Sequence, residues 1–210
     1  MIYVYYTHFS TPFDEMIYQE YLNKLPEFIR LQISKYRFWQ DAHATLLGKL
    51  LLAKALEDHF KDQYTLGDIK YLNHNKPHIH ESFDFNISHS GDYVICALSH
   101  EGKIGIDIEK IKPINYVEFK RVFRDDELKD IHESEQPYEK FFDYWTKKEA
   151  VIKADSRGMT IPLKDIFLEE NDATVFNCTW FLRELYIDSN YKCNLASEIF
   201  APYILQEVIF

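Results

Sequence analysis

The residues best suited to chemistry lie in two short segments. In Ile104-Gly105-Ile106-Asp107-Ile108-Glu109 a period of two places Asp107 and Glu109 on one face of a strand and the three isoleucines on the other. Neighbouring carboxylates repel unless a cation or a proton sits between them. Hard oxygen donors at this spacing suit Mg²⁺, which takes few protein ligands and keeps positions open for phosphate oxygens. The same alternation also fits an exposed acidic face of an antiparallel sheet. In Trp145-Thr146-Lys147-Lys148-Glu149-Ala150-Val151-Ile152-Lys153 the helical period brings Glu149 and Lys153 to one face. That pair is either an ordinary helix-surface ion pair or the third carboxylate and the cation of a Mg²⁺-diphosphate site. The second reading requires strand 104–109 to touch this helix.

A third segment, Asn86-Ile87-Ser88-His89-Ser90-Gly91, ends a strand in a glycine turn. There the His89 imidazole and two hydroxyls could reach an anion, although a surface turn histidine has the same pattern. The histidines of His74-Asn75-Lys76-Pro77-His78-Ile79-His80 have no Cys partner and flank a proline turn, so they read as a solvated hairpin rather than a transition-metal site.

The elements that must position these residues follow from periodicity. Residues 2–6 read as a strand, 14–37 as helical around Pro26, and 41–60 as the strongest helix of the chain. Short strands follow at 69–72, 83–87, 93–99 and 104–109, separated by turn compositions. After Pro113 come helices at about 115–134 and 137–155, then strands near 165–169, 174–187 and 191–198. This order predicts an α+β protein of two similar lobes, residues 1–103 and 104–210, with chemistry at their interface.

Composition narrows the class. The chain has 210 residues and a formal charge of −10, which argues against a nucleic-acid surface built on counterion release. A hydrophobic share of 46% is enough for a sizeable core. The start, Met1 to Tyr6, lacks the features of a secretory signal, and no run has the length of a membrane span. Cys96, Cys178 and Cys193 have neither disulfide nor zinc spacing. The expectation is a cytoplasmic protein with reduced thiols and no membrane partner.

Taken together, Asn75-Lys76-Pro77, the run from Phe85 to Gly91, the run from Ile104 to Glu109 and the run from Trp145 to Lys153 resemble the 4′-phosphopantetheinyl transferases of the surfactin-synthetase-activating (Sfp) type. Asp41-Ala42-His43, Thr45-Leu46-Leu47-Gly48 and Pro113 belong to the same resemblance, which fades in the last forty or so residues. It implies a pseudo-twofold monomer that binds coenzyme A between its lobes. The implied reaction moves 4′-phosphopantetheine to a serine of an acyl or peptidyl carrier protein and releases adenosine 3′,5′-bisphosphate. On matching positions, Asp107, Glu109 and Glu149 would hold Mg²⁺, with Glu149 the candidate base and Asp107, Glu149 and Lys153 the catalytic set. Lys148 and Lys153 would offset phosphate charge, Ser88 and His89 would contact coenzyme A phosphates, and Lys76 with Pro77 would line the adenine side.

Departures from the pattern matter too. Ala44 stands where relatives often carry an arginine for the 3′-phosphate, and Phe28 and Leu31 stand where basic residues are expected, leaving Arg30, Lys35 or Arg37 as substitutes. Because catalysis of this kind rests mostly on positioned charge, removing Asp107 is expected to abolish turnover and substitution at Thr146 to do little. An acidic carrier would have to dock on local apolar and basic surface, for which the expected helix offers Phe119, Lys120, Val122, Phe123 and Arg124, a stripe that core packing explains equally. A Mg²⁺-dependent diphosphate hydrolase acting on coenzyme A and a non-catalytic coenzyme A or carrier-binding protein are the alternatives.

Overall fold

The computed structural model describes residues 1–71, 76–155 and 157–210, apart from the Met159 side chain. Asn73, His74 and Asn75 of the expected turn therefore lie outside the described residues. Elements are numbered in chain order. One sheet runs β11 (Tyr203–Glu207), β1 (Ile2–His8), β5 (Tyr93–Ser99), β4 (Asp84–Ser90), with β1 parallel to β11 and the other pairs antiparallel. The second runs β6 (Ile104–Lys110), β10 (Tyr191–Ser197), β9 (Cys178–Glu184), β8 (Asp172–Val175), β7 (Phe167–Leu168), antiparallel throughout. A two-stranded ribbon pairs β2 (Lys70–Tyr71) with β3 (Pro77–His78).

Each sheet carries one long helix. α3 (Trp39–Phe60) buries Leu46, Leu47, Leu50 and Leu51 against Phe85, Val94, Cys96 and Leu98 of the first sheet. α5 (Pro137–Asp155) buries Ala150, Val151 and Ala154 against Trp180, Leu182 and Ala196 of the second. Between the sheets lies a dry layer of Ile2, Val4, Ile95, Ala97, Ile104, Ile106, Ile108 and Leu195. The four layers are thus helix, sheet, sheet, helix, and the three isoleucines of β6 face the layer that period-two alternation assigned them.

The two sheets meet at β4 and β6 without a backbone ladder. Instead, side chains of alternate β4 residues accept hydrogen bonds from β6 amides: Asp84 from Ile104 at 2.9 Å, Asn86 from Ile106 at 2.9 Å, Ser88 from Ile108 at 3.4 Å and Ser90 from Lys110 at 3.1 Å. The polar alternation of β4 is therefore a seam, not a solvent face.

Three expected elements take a different form, and one strand is added. The helical stretch 14–37 divides into α1 (Glu15–Asn23), capped by Asp14, and α2 (Glu27–Ile33), which starts after Pro26. The helix expected over 115–134 is a short 3₁₀ turn at Tyr116–Phe119 followed by α4 (Asp125–Glu133), whose Glu127 carboxylate accepts the Arg124 amide at 2.8 Å and fixes the later start. The strand expected over 174–187 turns back at Phe176 and Asn177, both with positive φ, as a tight hairpin turn demands. β11, unforeseen in the sequence, adds the chain's carboxyl-terminal end to the first sheet.

Candidate active site

The strand of carboxylates and the helix that carries Glu149 do touch, and Gly105 is the reason they can. A Cβ at this position would lie 2.1 Å from the Ala150 carbonyl oxygen and 2.3 Å from the Ala154 nitrogen, so α5 rests directly on the β6 backbone. That contact sets Asp107 and Glu109, on the Gly105 face of β6, beneath a stripe of Trp145, Glu149 and Lys153 spaced four residues apart on α5. With Ile87, Ser88 and His89 of β4 they line one cleft of about 330 Å³ at the seam. Trp145 was not singled out as a site residue, although the stripe it shares with Glu149 and Lys153 was visible in the sequence.

The cleft floor is tightly bonded. The Lys153 ammonium donates to Asp107 Oδ1 at 2.6 Å, to Ser88 Oγ at 3.0 Å and to the Ile106 carbonyl at 3.3 Å. Ser88 donates to the same Asp107 Oδ1 at 3.0 Å, and Ser90 donates to Glu109 Oε2 at 2.7 Å. The Ser88 hydroxyl is thereby buried and committed to Asp107, so it orients a carboxylate as well as lining the cleft. His89 is exposed at the mouth; surrounding protein and the Lys153 ammonium hold its imidazole below the ordinary range. Burial, then the Asp107 charge, pushes the Glu149 carboxyl up, with Lys153 opposing. Glu109 is also pushed up by burial, against the Ser90 hydrogen bond.

Three carboxylates against one ammonium leave the cleft two charges short of neutral, which is hostile to an anionic ligand unless cations enter. Asp107 Oδ2 is buried without a hydrogen-bond partner, an orphan that a hard cation would satisfy. Among the described residues, however, no three acidic, His or Cys side chains form a metal-holding group, so Asp107, Glu109 and Glu149 share the cleft without converging on one point. The donor chemistry, three carboxylates with Asp107 Oδ2 unpartnered, is of the oxygen type that suits Mg²⁺, and ligation by all three would require at least one side chain to turn. A carboxyl raised above its unfolded value favours folding at low pH, and that contribution is lost as pH rises through the folded value. A divalent cation binding the ionised form offsets the loss. The thermal midpoint is therefore expected to rise more with Mg²⁺ at pH 8 than at pH 5, as a fluorescence melt series would show; an equal rise at both would contradict the raised carboxyls.

A second cavity, of about 380 Å³, opens at the other end of the seam. Lys76, Pro77, Phe83, His100 and Lys103 line it, and Lys76 is held by Asp84 at 2.6 Å and by the Ile104 carbonyl at 3.2 Å. Four residue steps along β4, roughly 13 Å of strand, separate Asp84 from Ser88. The two cavities thus lie at opposite ends of the seam.

Comparison with known proteins accounts for both halves of this arrangement. Residues 12–101 match the family described as 4′-phosphopantetheinyl transferase, N-terminal, and residues 103–205 match the 4′-phosphopantetheinyl transferase superfamily. The chain belongs to the 4′-phosphopantetheinyl transferase superfamily. Its relatives include the Bacillus subtilis 4′-phosphopantetheinyl transferase Sfp, 35% identical over 71% of this chain and 70% of that one. The Bacillus subtilis transferase ffp is 31% identical over 85% of this chain and 86% of its own length, and psf-1 of Bacillus pumilus is 32% identical over 78% and 75%. The chain is thus an enzyme of the Sfp-type transferases.

Lys148 of this transferase is not in the cleft, contrary to the phosphate role its motif suggested. One position before Glu149, it points about 100° away around the helix. There it is wholly buried, paired with Glu127 of α4 at 2.9 Å and donating to the Leu163 and Ile166 carbonyls at 3.0 Å each. Lys148→Met is expected to cost about 3–5 kcal/mol of stability by stranding Glu127. The folded fraction should keep its coenzyme A KM; a stable variant with a raised KM would restore the phosphate role. Thr146 is likewise buried, donating to the Phe142 carbonyl at 2.7 Å and accepting from Asn194 at 2.8 Å, so its replacement is expected to loosen α5. Phe123 is fully buried with Ile131, Phe141 and Phe142, so the expected docking stripe is core along that face.

Proposed function

We propose that this transferase moves the 4′-phosphopantetheine group of coenzyme A to a serine of an acyl or peptidyl carrier protein, with Mg²⁺, and releases adenosine 3′,5′-bisphosphate. The observation that carries the reading is the meeting of Asp107, Glu109, Glu149 and Lys153 in one cleft across the seam. The second cavity, with Lys76 and Pro77, takes the adenine end, and the diphosphate lies toward His89 and Lys153. Asp107, Glu109 and Glu149 would hold Mg²⁺, which when bound neutralises diphosphate charge.

The remaining work falls to the chain's own groups. The serine oxygen attacks the β-phosphorus of coenzyme A; the new P–O bond forms as the bond to the bridging oxygen breaks, and the electron pair leaves with adenosine 3′,5′-bisphosphate. Glu149, its basicity raised by burial, takes the serine proton directly or through one water. Lys153, fixed between Asp107 and Ser88, supplies positive charge where oxygen charge grows. Chelation with EDTA is expected to abolish formation of holo carrier, and added Mg²⁺ or Mn²⁺ to restore it; turnover unaffected by EDTA would overturn the metal requirement.

Carrier contact falls to the exposed residues beside the cleft, Val117, Lys120 and Arg121, which adjoin Trp145 through Phe119. The 3′-phosphate has weaker support. Ala44 is buried in α3, and Phe28 and Leu31 are exposed apolar side chains on α2. A charged contact to phosphate is worth about 1.5–3 kcal/mol. We therefore expect kcat/KM for 3′-dephospho-coenzyme A to lie within about tenfold of that for coenzyme A. A far larger loss in a paired steady-state assay would show that another base, such as Arg30, takes the phosphate.

A further inference from the structure

One edge of β6 pairs with β10, and the other faces β4, where it has to satisfy its amides and carbonyls by other means. Among the described residues, side chains take these bonds. The amides of Ile104, Ile106, Ile108 and Lys110 go to Asp84, Asn86, Ser88 and Ser90, while the Ile104 and Ile106 carbonyls accept from Lys76 and Lys153. Without a ladder, the spacing of the two strands follows the reach of each β4 side chain. Asp84 and Asn86 accept through an oxygen one atom further along the side chain than the hydroxyls of Ser88 and Ser90. A hydroxyl can accept from an amide and donate onward through the same atom, and the two serines do both, passing hydrogen bonds to Asp107 and Glu109.

Resting on the functional reading above, we propose that Asn86 is a positioning residue for the reaction. Asn86 is buried and is not among the residues lining the cleft. Its Oδ1, on the Ile106 amide, sets the height of β6 one residue before Asp107, and so the place of that carboxylate against Ser88 and Lys153. Outer partners of this kind typically change metal affinity by about 10–100-fold.

The test compares Asn86→Leu, which removes the acceptor at similar size, with Asn86→Asp, which keeps an acceptor of the kind Asp84 already provides. Mn²⁺ binding is read by electron paramagnetic resonance below the melting point of each variant, beside kcat and the coenzyme A KM. Asn86→Leu is expected to weaken Mn²⁺ by about tenfold and to lower kcat at least as much, with KM little changed, while Asn86→Asp recovers both. A merely structural asparagine would lower the melting point and leave Mn²⁺ affinity alone. Should Asn86→Leu not fold, Ser90→Ala, which removes the donor to Glu109, is expected to weaken Mn²⁺ several-fold. Wild-type Mn²⁺ affinity and kcat in folded Asn86→Leu, an Asn86→Asp as impaired as Asn86→Leu, or an indifferent Ser90→Ala would overturn the proposal. A wild-type protein that binds no Mn²⁺ would instead overturn the functional reading itself.

Discussion

Gly105→Ala is expected to lower turnover by at least about 10²-fold and to destabilise the fold by about 3 kcal/mol or more. The atoms its Cβ would meet, the Ala150 carbonyl oxygen and the Ala154 nitrogen, are backbone in the interior of α5 and cannot swing aside. Ordinary contact begins near 3.4 Å, so α5 would have to retreat by about 1 Å, a misplacement sufficient for such a loss of rate. Glu149 and Lys153 ride on that helix, and Asp107 stays on the strand beneath it. Urea melts and single-turnover rates on the purified variant read both effects. A Gly105→Ala protein of wild-type stability and rate would show that the helix does not rest on the strand as described. Ile106→Val, on the opposite face, is the control and should cost only about 0.5–1.5 kcal/mol.

Asp107→Asn is the second large effect, expected to reduce turnover by at least about 10³-fold while leaving the protein folded. The side chain keeps its shape, but the charge that pairs Lys153 and offers the orphaned Oδ2 to a cation is gone. Divalent-cation affinity should fall in parallel, as a Mn²⁺ titration would show. Retention of activity within tenfold would remove Asp107 from the centre of the site.

The legible and illegible parts of the sequence divide on a physical line. Period two in β6 and the four-residue spacing on α5 named the faces of Asp107, Glu109, Glu149 and Lys153, because those regularities are local. What stands opposite a residue is not local. Nothing near Gly105 announced a helix lying on it, and nothing near Lys148 announced Glu127 as a buried counterion. The alternation of Asp84, Asn86, Ser88 and Ser90 was visible as a pattern, but its partner was another strand's amides rather than a ligand or solvent. The hairpin at Phe176 and Asn177 carries no glycine to mark its positive φ, and β11 gains its order from pairing with β1, some two hundred residues away in the chain.

This cleft is expected to transfer phosphopantetheine to a carrier rather than to hydrolyse or merely hold coenzyme A. Intact mass spectrometry of an apo carrier protein, after incubation with the enzyme, coenzyme A and Mg²⁺, separates these outcomes. The expected result is a gain of one phosphopantetheine on the carrier serine, matched by released adenosine 3′,5′-bisphosphate and absent with Asp107→Asn. Release of the bisphosphate with no gain in carrier mass, or neither product, would contradict it.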